Sequence, residues 1–300
     1  MITQNKLEVN EKLDIFAEHK AFALDIQQKL SNIFKNPRTN NPTRKSDNIL
    51  SCGCSLEFQH YFNAEDTRTL HSANFCKHKL CPMCAWRWHI KNNYTLAKAF
   101  EILGEQNYYH LVLTIPNLKF ITKEFLISLR EKAGIFMKKV AKSIDYFLSF
   151  EITIDKNGCF HPHYHILYIN HLEKPLTRKK IQTEWAKISN VGTDYNICKQ
   201  TKCTSNKVSQ ELTKYILKFE DIKPTEEQLK IIDMATKGLK KTCARGEILQ
   251  AKLEAEKIIE KEAFDKMQEL KIFDSEIEWF RWFSGAYHLQ ERKINKSKIA

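Results

Sequence analysis

The sequence has no long apolar run, few glycines and few prolines, and each absence excludes a class of protein. No stretch of about 18 apolar residues occurs, so no membrane span is predicted. Only 8 glycines and 7 prolines occur in 300 residues, which argues against collagen-like, linker-like and β-propeller organisation. The N-terminal residues MITQNKLEVNEKLD alternate in charge too early for a signal peptide. We therefore expect a soluble, cytoplasmic protein with no membrane partner.

Acidic residues are also scarce, with 36 Asp and Glu against 48 Lys and Arg, a formal net charge of +12. The imbalance is strongest in Thr67–Phe100, which contains basic residues and no acidic residue. Such a stretch fits a polyanionic partner, in practice nucleic acid, or a basic surface that is simply solvated. The 42% of hydrophobic residues is enough to form a packed core.

The hydrophobic patterns predict an α+β fold, with a central antiparallel β-sheet flanked by helices and helical N- and C-terminal extensions. Residues 1–48 are expected to form a helix and a polar linker, residues 49–222 the main domain, and residues 223–300 a mostly helical region. The predicted helices and strands of the main domain are helices at Pro82–Leu103, Thr122–Lys142, Thr177–Ser189 and Ser205–Glu220 and strands at Ile49–Phe62, Thr67–Cys76, Tyr108–Ile115, Tyr146–Asp155 and Phe160–Asn170.

Five of the nine cysteines lie within Cys52–Cys84. In a reducing compartment such clustering indicates metal binding rather than disulfides. The cluster offers five thiols for a four-cysteine zinc site, although small buried cysteines would also explain it. The thiols are those of Cys52, Cys54, Cys76, Cys81 and Cys84.

A second candidate metal site lies in the segment FHPHYHIL, Phe160–Leu167. Because side chains alternate between the faces of a strand, His161, His163 and His165 share one face. Imidazoles at this spacing can bind one divalent ion, and they can equally form a polar sheet face of hydrogen-bonded histidines. The preceding strand carries Glu151 at its centre, a poor position for an unpaired carboxylate.

The length of the hairpin loop decides whether Glu151 faces these histidines. A two-residue turn would point its side chain to the other face, whereas the three-residue loop 156–158 places it opposite His163. Asp155 before that loop and the glycine that ends it favour the three-residue form. We therefore predict a Glu151/His163/His165 site, whose mixed ligands suit Mg²⁺ or Mn²⁺ better than structural zinc.

The segment Ser209–Phe219 reads SQELTKYILKF and is predicted to be helical. Glu211 and Tyr215 are neighbours on one helix face, and Lys218 follows three residues later. Alone, a tyrosine in this position usually packs at a rim, and the glutamate can be a plain partner of lysine. Beside a divalent ion, Tyr215 becomes a candidate nucleophile toward phosphate, activated by Lys218, and Glu211 a candidate general base for water.

The combination resembles the His-hydrophobic-His (HUH) endonucleases, and most closely the rolling-circle replication initiators, or Rep proteins, of small Gram-positive plasmids. The resemblance covers about Leu50–Phe219 and rests on FHPHYHIL and the later Tyr-x-x-Lys helix. HLVLTIPN resembles the first strand motif of that family, and CPMCAWRW, from Cys81, its Cys-Pro-x-Cys-x-Trp-Arg segment.

The resemblance implies a divalent-metal-dependent enzyme that nicks and rejoins DNA at a plasmid double-strand origin. Tyr215 would attack the scissile phosphate and form a 5′-phosphotyrosine bond, leaving a 3′-OH, and Glu211 would activate water for the terminating cleavage. The implied partners are origin DNA, single- and double-stranded, with a host helicase and replication polymerase, and a homodimer is a possible assembly.

The resemblance also bears on the cysteines and on the basic stretch. The family's Cys-Gly matches Cys52-Gly53, so the preferred zinc ligands become Cys52, Cys76, Cys81 and Cys84, with Cys54 as the rival to Cys52. This zinc-knuckle region, residues 50–92, would hold a basic segment whose Lys79, Arg87 and Lys91 are candidates for DNA contact.

Two other functions fit the same residues. One is a transposase or conjugative relaxase of the same endonuclease group, although relaxases usually carry three histidines. The other is a zinc-stabilised DNA-binding protein without catalytic activity, in which the histidines are structural.

Overall fold

The computed structural model describes residues 9–63, 65–192, 198–203 and 224–290. The chain divides into two units: unit 1 comprises Met1–Cys84 and Ala263–Ala300, and unit 2 comprises Ala85–Glu262. Each unit combines helices with an antiparallel sheet, which confirms the predicted α+β fold class. None of the helices in the described ranges is both long and apolar enough to cross a membrane.

The helices follow their sequence signals closely. Thr122, Thr177 and Thr225 are N-caps, and each side chain accepts a hydrogen bond from the backbone N–H three residues later. The helices are α1 (Val9–Ile33), α2 (Arg44–Leu50), α3 (Pro82–Leu103), α4 (Lys123–Phe136, continued by a π-helical turn at Met137–Ala141), α5 (Arg178–Ser189), α6 (Glu226–Thr236) and α7 (Gly246–Leu270).

The strands form one sheet in each unit. They are β1 (Ser55–Tyr61), β2 (Arg68–Ala73), β3 (Tyr108–Thr114), β4 (Tyr146–Ile154), β5 (Phe160–Ile169), β6 (Lys199–Lys202), β7 (Thr242–Ala244), β8 (Ser275–Phe283) and β9 (Ala286–Gln290). The sheet of unit 1 has the order β2-β1-β8-β9, and that of unit 2 has the order β6-β3-β5-β4-β7.

The core of unit 2 covers both faces of its sheet. On one face Phe147 and Leu167 pack against Leu96 and Phe100 of α3 and Ile248 of α7. On the opposite face, α4 contacts the sheet through the Tyr164 hydroxyl, which donates to the Leu126 carbonyl at 3.3 Å. Because side chains alternate, Glu151 and His163 lie on the same face as Phe147 and Leu167, farther along the strands.

Unit 1 is built around an apolar cluster between its sheet and α1. Leu13 of α1 packs with Leu56, Phe58 and Phe280, which come from β1 and β8. β1 and β8 pair although they are far apart in the sequence, so the sheet of unit 1 joins an early and a late segment of the chain.

The structure departs from the sequence prediction in four segments. Helix α2 begins within residues 1–48, where a polar linker was predicted to follow the first helix, and Thr43 caps it. The C-terminal region, which was predicted to be mostly helical, contains helix α7 and also the hairpin of β8 and β9, which the helical prediction missed. The short strands β6 and β7 were also missed.

Candidate metal centres

The β4–β5 hairpin has the three-residue loop that the sequence predicted. The Asp155 backbone N–H donates to the Cys159 carbonyl at 2.9 Å, and Gly158 has a φ of +79°, which favours glycine. The Asp155 carboxylate accepts hydrogen bonds from the backbone N–H groups of Asn157 and Cys159, both at 2.8 Å. These contacts set the register of the two strands.

Glu151, His163 and His165 converge on one face of the sheet. Glu151 is directly opposite His163 in the strand register, as predicted. Its Oε2 atom lies 3.2 Å from His163 Nε2 and 3.0 Å from His165 Nε2. Adjacent ligands around an octahedral ion with bonds of about 2.1 Å lie about 3.0 Å apart. These two separations therefore fit neighbouring ligands of a small divalent ion, and the three donor atoms all lie within 4.8 Å of one another.

The contacts of the Nδ1 atoms of His163 and His165 also fit a metal site. His163 Nδ1 lies 3.2 Å from the His161 carbonyl, which can only accept a hydrogen bond. In the neutral tautomer that donates from Nδ1 to this carbonyl, Nε2 carries the lone pair that a metal ion would bind. His165 Nδ1 lies 3.2 Å from His110 Nε2, so a contact on the side away from Glu151 also fixes the orientation of the His165 ring. A metal ion bound by the two Nε2 atoms and the Glu151 carboxylate would leave these Nδ1 contacts intact.

Glu151 is charged although its side chain is buried. Burial by itself raises the pKa of this carboxyl group, but hydrogen bonds to His163 and His165 lower it more. The net result is a pKa well below the ordinary range. The site thus presents a carboxylate at neutral pH, which is the form that binds a metal.

Two further residues lie close to this site and were not among the predicted site residues. The His110 ring is stacked on the His165 ring, with centroids 5.3 Å apart and planes at 15°. Lys241 is 8% exposed, and burial lowers its pKa to about 7 although the charge of Glu151 raises it. Strand alternation puts His110 on the histidine face, a signal that was available in the sequence. Lys241 has no such signal, because it precedes a strand of three residues.

Four cysteines of unit 1 form the second group. The Sγ–Sγ distances are 3.5 Å for Cys52–Cys84, 3.7 Å for Cys76–Cys84 and 3.6 Å for Cys81–Cys52. Thiolates in a tetrahedral zinc site with bonds of about 2.3 Å lie about 3.8 Å apart. The donor set therefore fits a structural zinc ion. Cys54, the rival ligand, is not part of this four-cysteine group.

Helix α1 supports the cysteine cluster with buried polar groups. Gln27 Nε2 lies 3.4 Å from Cys81 Sγ and donates to the Cys52 carbonyl at 3.1 Å. Lys20 donates to the same carbonyl at 2.9 Å. Hydrogen bonds among the four thiols lower the pKa values of Cys81 and Cys84 and, with burial, raise those of Cys52 and Cys76, so the thiolate form is favoured at the first two positions.

Comparison with known proteins gives a family for this arrangement. The Rep_1 family, described as replication protein, matches residues 67–283. The chain belongs to this family. The matched range contains Glu151, His163 and His165 and three of the four clustered cysteines.

Individual members of the family confirm the relationship. The protein rep of Lentilactobacillus hilgardii is 28% identical over 220 residues, 65% of this chain and 69% of that protein. The protein rep of a Bacillus sp is 32% identical over 136 residues, 41% of this chain and 43% of that protein. That of Lactiplantibacillus plantarum is 29% identical over 158 residues, 48% of this chain and 49% of that protein. The chain thus spans less than half of the last two relatives. No solved structure matches it significantly.

The remaining predicted site residues fall into two groups. Arg87 and Lys91 are exposed and lie one turn apart on α3, whereas Lys79 is half-buried in the segment before it. Glu211, Tyr215 and Lys218 lie outside the described residues.

Proposed function

We propose that this chain is a plasmid replication initiator that nicks one strand of its origin DNA and transfers strands at the same position. The observation that carries the proposal is the convergence of Glu151, His163 and His165 on adjacent strands in a member of the Rep_1 family. A replication protein must act on DNA, and a site of carboxylate and imidazole ligands suits metal-assisted phosphate chemistry.

The three residues would hold Mg²⁺ or Mn²⁺, which when bound supplies Lewis acidity toward a phosphate oxygen. The protein's own contribution is to fix the ligands. The backbone of His161 holds the ring of His163 and the His110 ring holds that of His165, so both Nε2 atoms point to one position. Such rigid placement brings the phosphate and the attacking group into a reactive geometry.

Tyr215 is the proposed nucleophile, following the resemblance. Its hydroxyl oxygen loses a proton to solvent and forms a bond to phosphorus while the bond from phosphorus to the 3′ oxygen breaks, and the 3′ oxygen takes a proton from solvent. The products are a free 3′-OH, which a polymerase can extend, and a 5′-phosphate on the tyrosine. Lys218 would lower the pKa of the hydroxyl from its ordinary value of about 10. Glu211 would accept a proton from the water of the terminating cleavage.

The cysteine cluster and the basic residues would serve DNA binding. A zinc ion held by Cys52, Cys76, Cys81 and Cys84 would stabilise the start of α3. Lys79, Arg87 and Lys91 would contact phosphates of the origin, in double- and single-stranded forms. Extension from the 3′-OH requires a host polymerase, and displacement of the strand requires a helicase.

The test is formation of a covalent protein–DNA adduct. The full chain is incubated with supercoiled plasmid carrying its origin and with Mg²⁺ or Mn²⁺, and adducts are detected after denaturing electrophoresis. We expect adduct with the wild type and with Tyr94→Phe, an exposed tyrosine on α3, and none with Tyr215→Phe. Glu151→Gln is expected to bind the origin but not to nick it.

Two results would contradict the proposal. Equal adduct formation by the wild type and Tyr215→Phe would mean that another group is the nucleophile. Origin binding without any nicking by the wild type, in either metal, would favour the zinc-stabilised DNA-binding protein without catalytic activity.

A further inference from the structure

A second group of histidine and carboxylate side chains lies in unit 1, on the sheet formed by β1 and β8. His60 on β1 is directly opposite Glu276 on β8, and Glu278 is two positions further along the same strand. All three side chains lie on the sheet face that carries the apolar residues Phe58 and Phe280. The His60 side chain is only 9% exposed. An imidazole is thus buried beside two carboxylates.

The two nitrogens of the His60 ring have different surroundings. Nε2 lies 2.6 Å from Asp66 Oδ1, a distance at which it donates its hydrogen. Nδ1 lies 3.1 Å from Glu278 Oε1 and 3.7 Å from Glu276 Oε1. Nδ1 is buried, and within the described part of the chain it has no hydrogen-bond partner. A proton on Nδ1 would therefore lie out of line with both carboxylates.

Across the described ranges, the carboxylates of the group have one ion-paired cationic side chain, Arg68, and Lys12 donates to the Arg68 carbonyl at 3.1 Å. Arg68, opposite His60 on β2, contacts Asp66 and lies 2.9 Å from Glu278 through Nε. Among the ion-paired side chains alone, three carboxylates and one guanidinium sum to two negative charges when His60 is neutral. One divalent cation neutralises this excess. Glu276 is the carboxylate that Arg68 leaves available.

We propose that His60, Glu276 and Glu278 bind a divalent transition-metal ion of the Mn²⁺ or Zn²⁺ type between β1 and β8. One imidazole and two carboxylates form a mixed ligand set that suits these ions. Ligands at about 2.1 Å from such an ion lie about 3.0–3.4 Å apart. The separation from His60 Nδ1 to Glu278 Oε1, 3.1 Å, lies within that range, and the separation to Glu276 Oε1, 3.7 Å, is slightly longer. Asp66 holds the far nitrogen of the ring, as carboxylates do for metal-bound histidines.

This site is separate from the Glu151 group and has a different task. It lies in the other unit and on the other sheet. The ion would cross-link two strands that are far apart in the chain, and so would stabilise the sheet of unit 1. Its function is structural, in addition to the proposed nicking activity.

The test counts the Mn²⁺ ions bound by the full chain. The protein is first given one equivalent of Zn²⁺ and is then titrated with Mn²⁺, with free Mn²⁺ measured by electron paramagnetic resonance. The test variant is Glu276→Gln, because this side chain is 60% exposed and glutamine preserves its size. The matched control is Glu57→Gln, on the opposite face of β1. We expect Glu276→Gln to bind one Mn²⁺ fewer than the wild type, and Glu57→Gln to bind the same number.

A second variant keeps the test informative if the first perturbs folding. Asp66→Asn retains all three ligands and weakens only the group behind His60, and we expect Mn²⁺ to bind this site about 10- to 100-fold more weakly. Equal numbers and affinities of bound Mn²⁺ in the wild type, Glu276→Gln and Asp66→Asn would overturn the proposal. Failure of the Glu151 site would not be confused with this result, because it lowers the count equally in every variant.

Discussion

The imidazole planes of His110 and His165 are nearly parallel and offset, with centroids 5.3 Å apart, and His110 Nε2 lies 3.2 Å from His165 Nδ1. They stand on adjacent strands, β3 and β5. The contact fixes the ring of His165 from the side opposite Glu151, whose Oε2 lies 3.0 Å from His165 Nε2. His110 is therefore a positioning residue for the candidate metal centre.

Replacing His110 should weaken metal binding without removing a ligand. We expect His110→Phe, which keeps a stacked ring but loses the nitrogen, to reduce Mn²⁺ affinity at the Glu151 site by about 10- to 100-fold. His110→Gln, which can still hydrogen-bond to His165, should recover part of this loss. Isothermal titration calorimetry on the full chain measures both. Unchanged affinity in His110→Phe would show that the orientation of His165 is fixed by other contacts.

The turn at Asp155 offers a test of how strand register controls the site. Its carboxylate accepts hydrogen bonds from two backbone N–H groups and from Asn117 Nδ2 at 2.7 Å. We expect Asp155→Asn to lower the midpoint of thermal unfolding and to weaken Mn²⁺ binding. Lys156→Ala, in the same loop, is the control and should change neither.

The effect of Asp155→Asn on the unfolding midpoint is expected to depend on pH. The Cys159 N–H, with Asn117 and the Asn157 N–H, lowers the pKa of Asp155 in the folded state. A lowered folded pKa means that the carboxylate stabilises the protein above its unfolded pKa of about 3.9, and that this stabilisation is lost as pH falls through the folded pKa. The difference in unfolding midpoint between the wild type and Asp155→Asn should therefore be full at neutral pH and shrink in acid. A difference that grows in acid would contradict this assignment.

The cysteine cluster predicts that each chain binds one zinc ion and that binding requires Cys52, Cys76, Cys81 and Cys84 but not Cys54. We expect Cys81→Ser to lose this zinc and to unfold at a lower temperature, because metal binding is coupled to folding. Cys54→Ser should keep one zinc per chain. Elemental analysis of the purified variants gives the count. Loss of zinc in Cys54→Ser would instead support the rival ligand.

The exposed basic residues of α3 predict a change in the salt dependence of DNA binding. If Arg87 and Lys91 each contact one phosphate, removing both charges should reduce the slope of log affinity against log salt concentration by about 2. The double variant Arg87→Gln/Lys91→Gln is compared with Lys257→Gln, an exposed lysine of α7. Fluorescence anisotropy at several salt concentrations measures the slopes. Equal slopes would exclude both residues from the interface.

Features governed by local chemistry were predictable from the sequence. The loop before Cys159 could be predicted because an aspartate and a glycine favour one turn type, and the strand register then followed. Helix α3 begins at Pro82, as its sequence indicated. The prediction of the Glu151 group depended on both the turn and the alternation of strand side chains.

Features governed by distant pairing were not predictable in the same way. β8 is recognisable as part of a sheet only through its partner β1, which lies more than two hundred residues earlier. β7 has three residues, and Lys241 beside it therefore had no periodic signal. The group of His60, Glu276 and Glu278 was missed because its residues come from β1 and β8, which are distant in the sequence.

The pairing of β1 with β8 also has a consequence for the order in which the protein is made. A ribosome releases all of unit 2 before it releases Ser275–Phe283, and domains generally fold as they emerge. Until then β1 has one open edge, with unpaired backbone groups. The sheet of Glu151 can therefore form first, and the unit that begins the chain is the last to be completed.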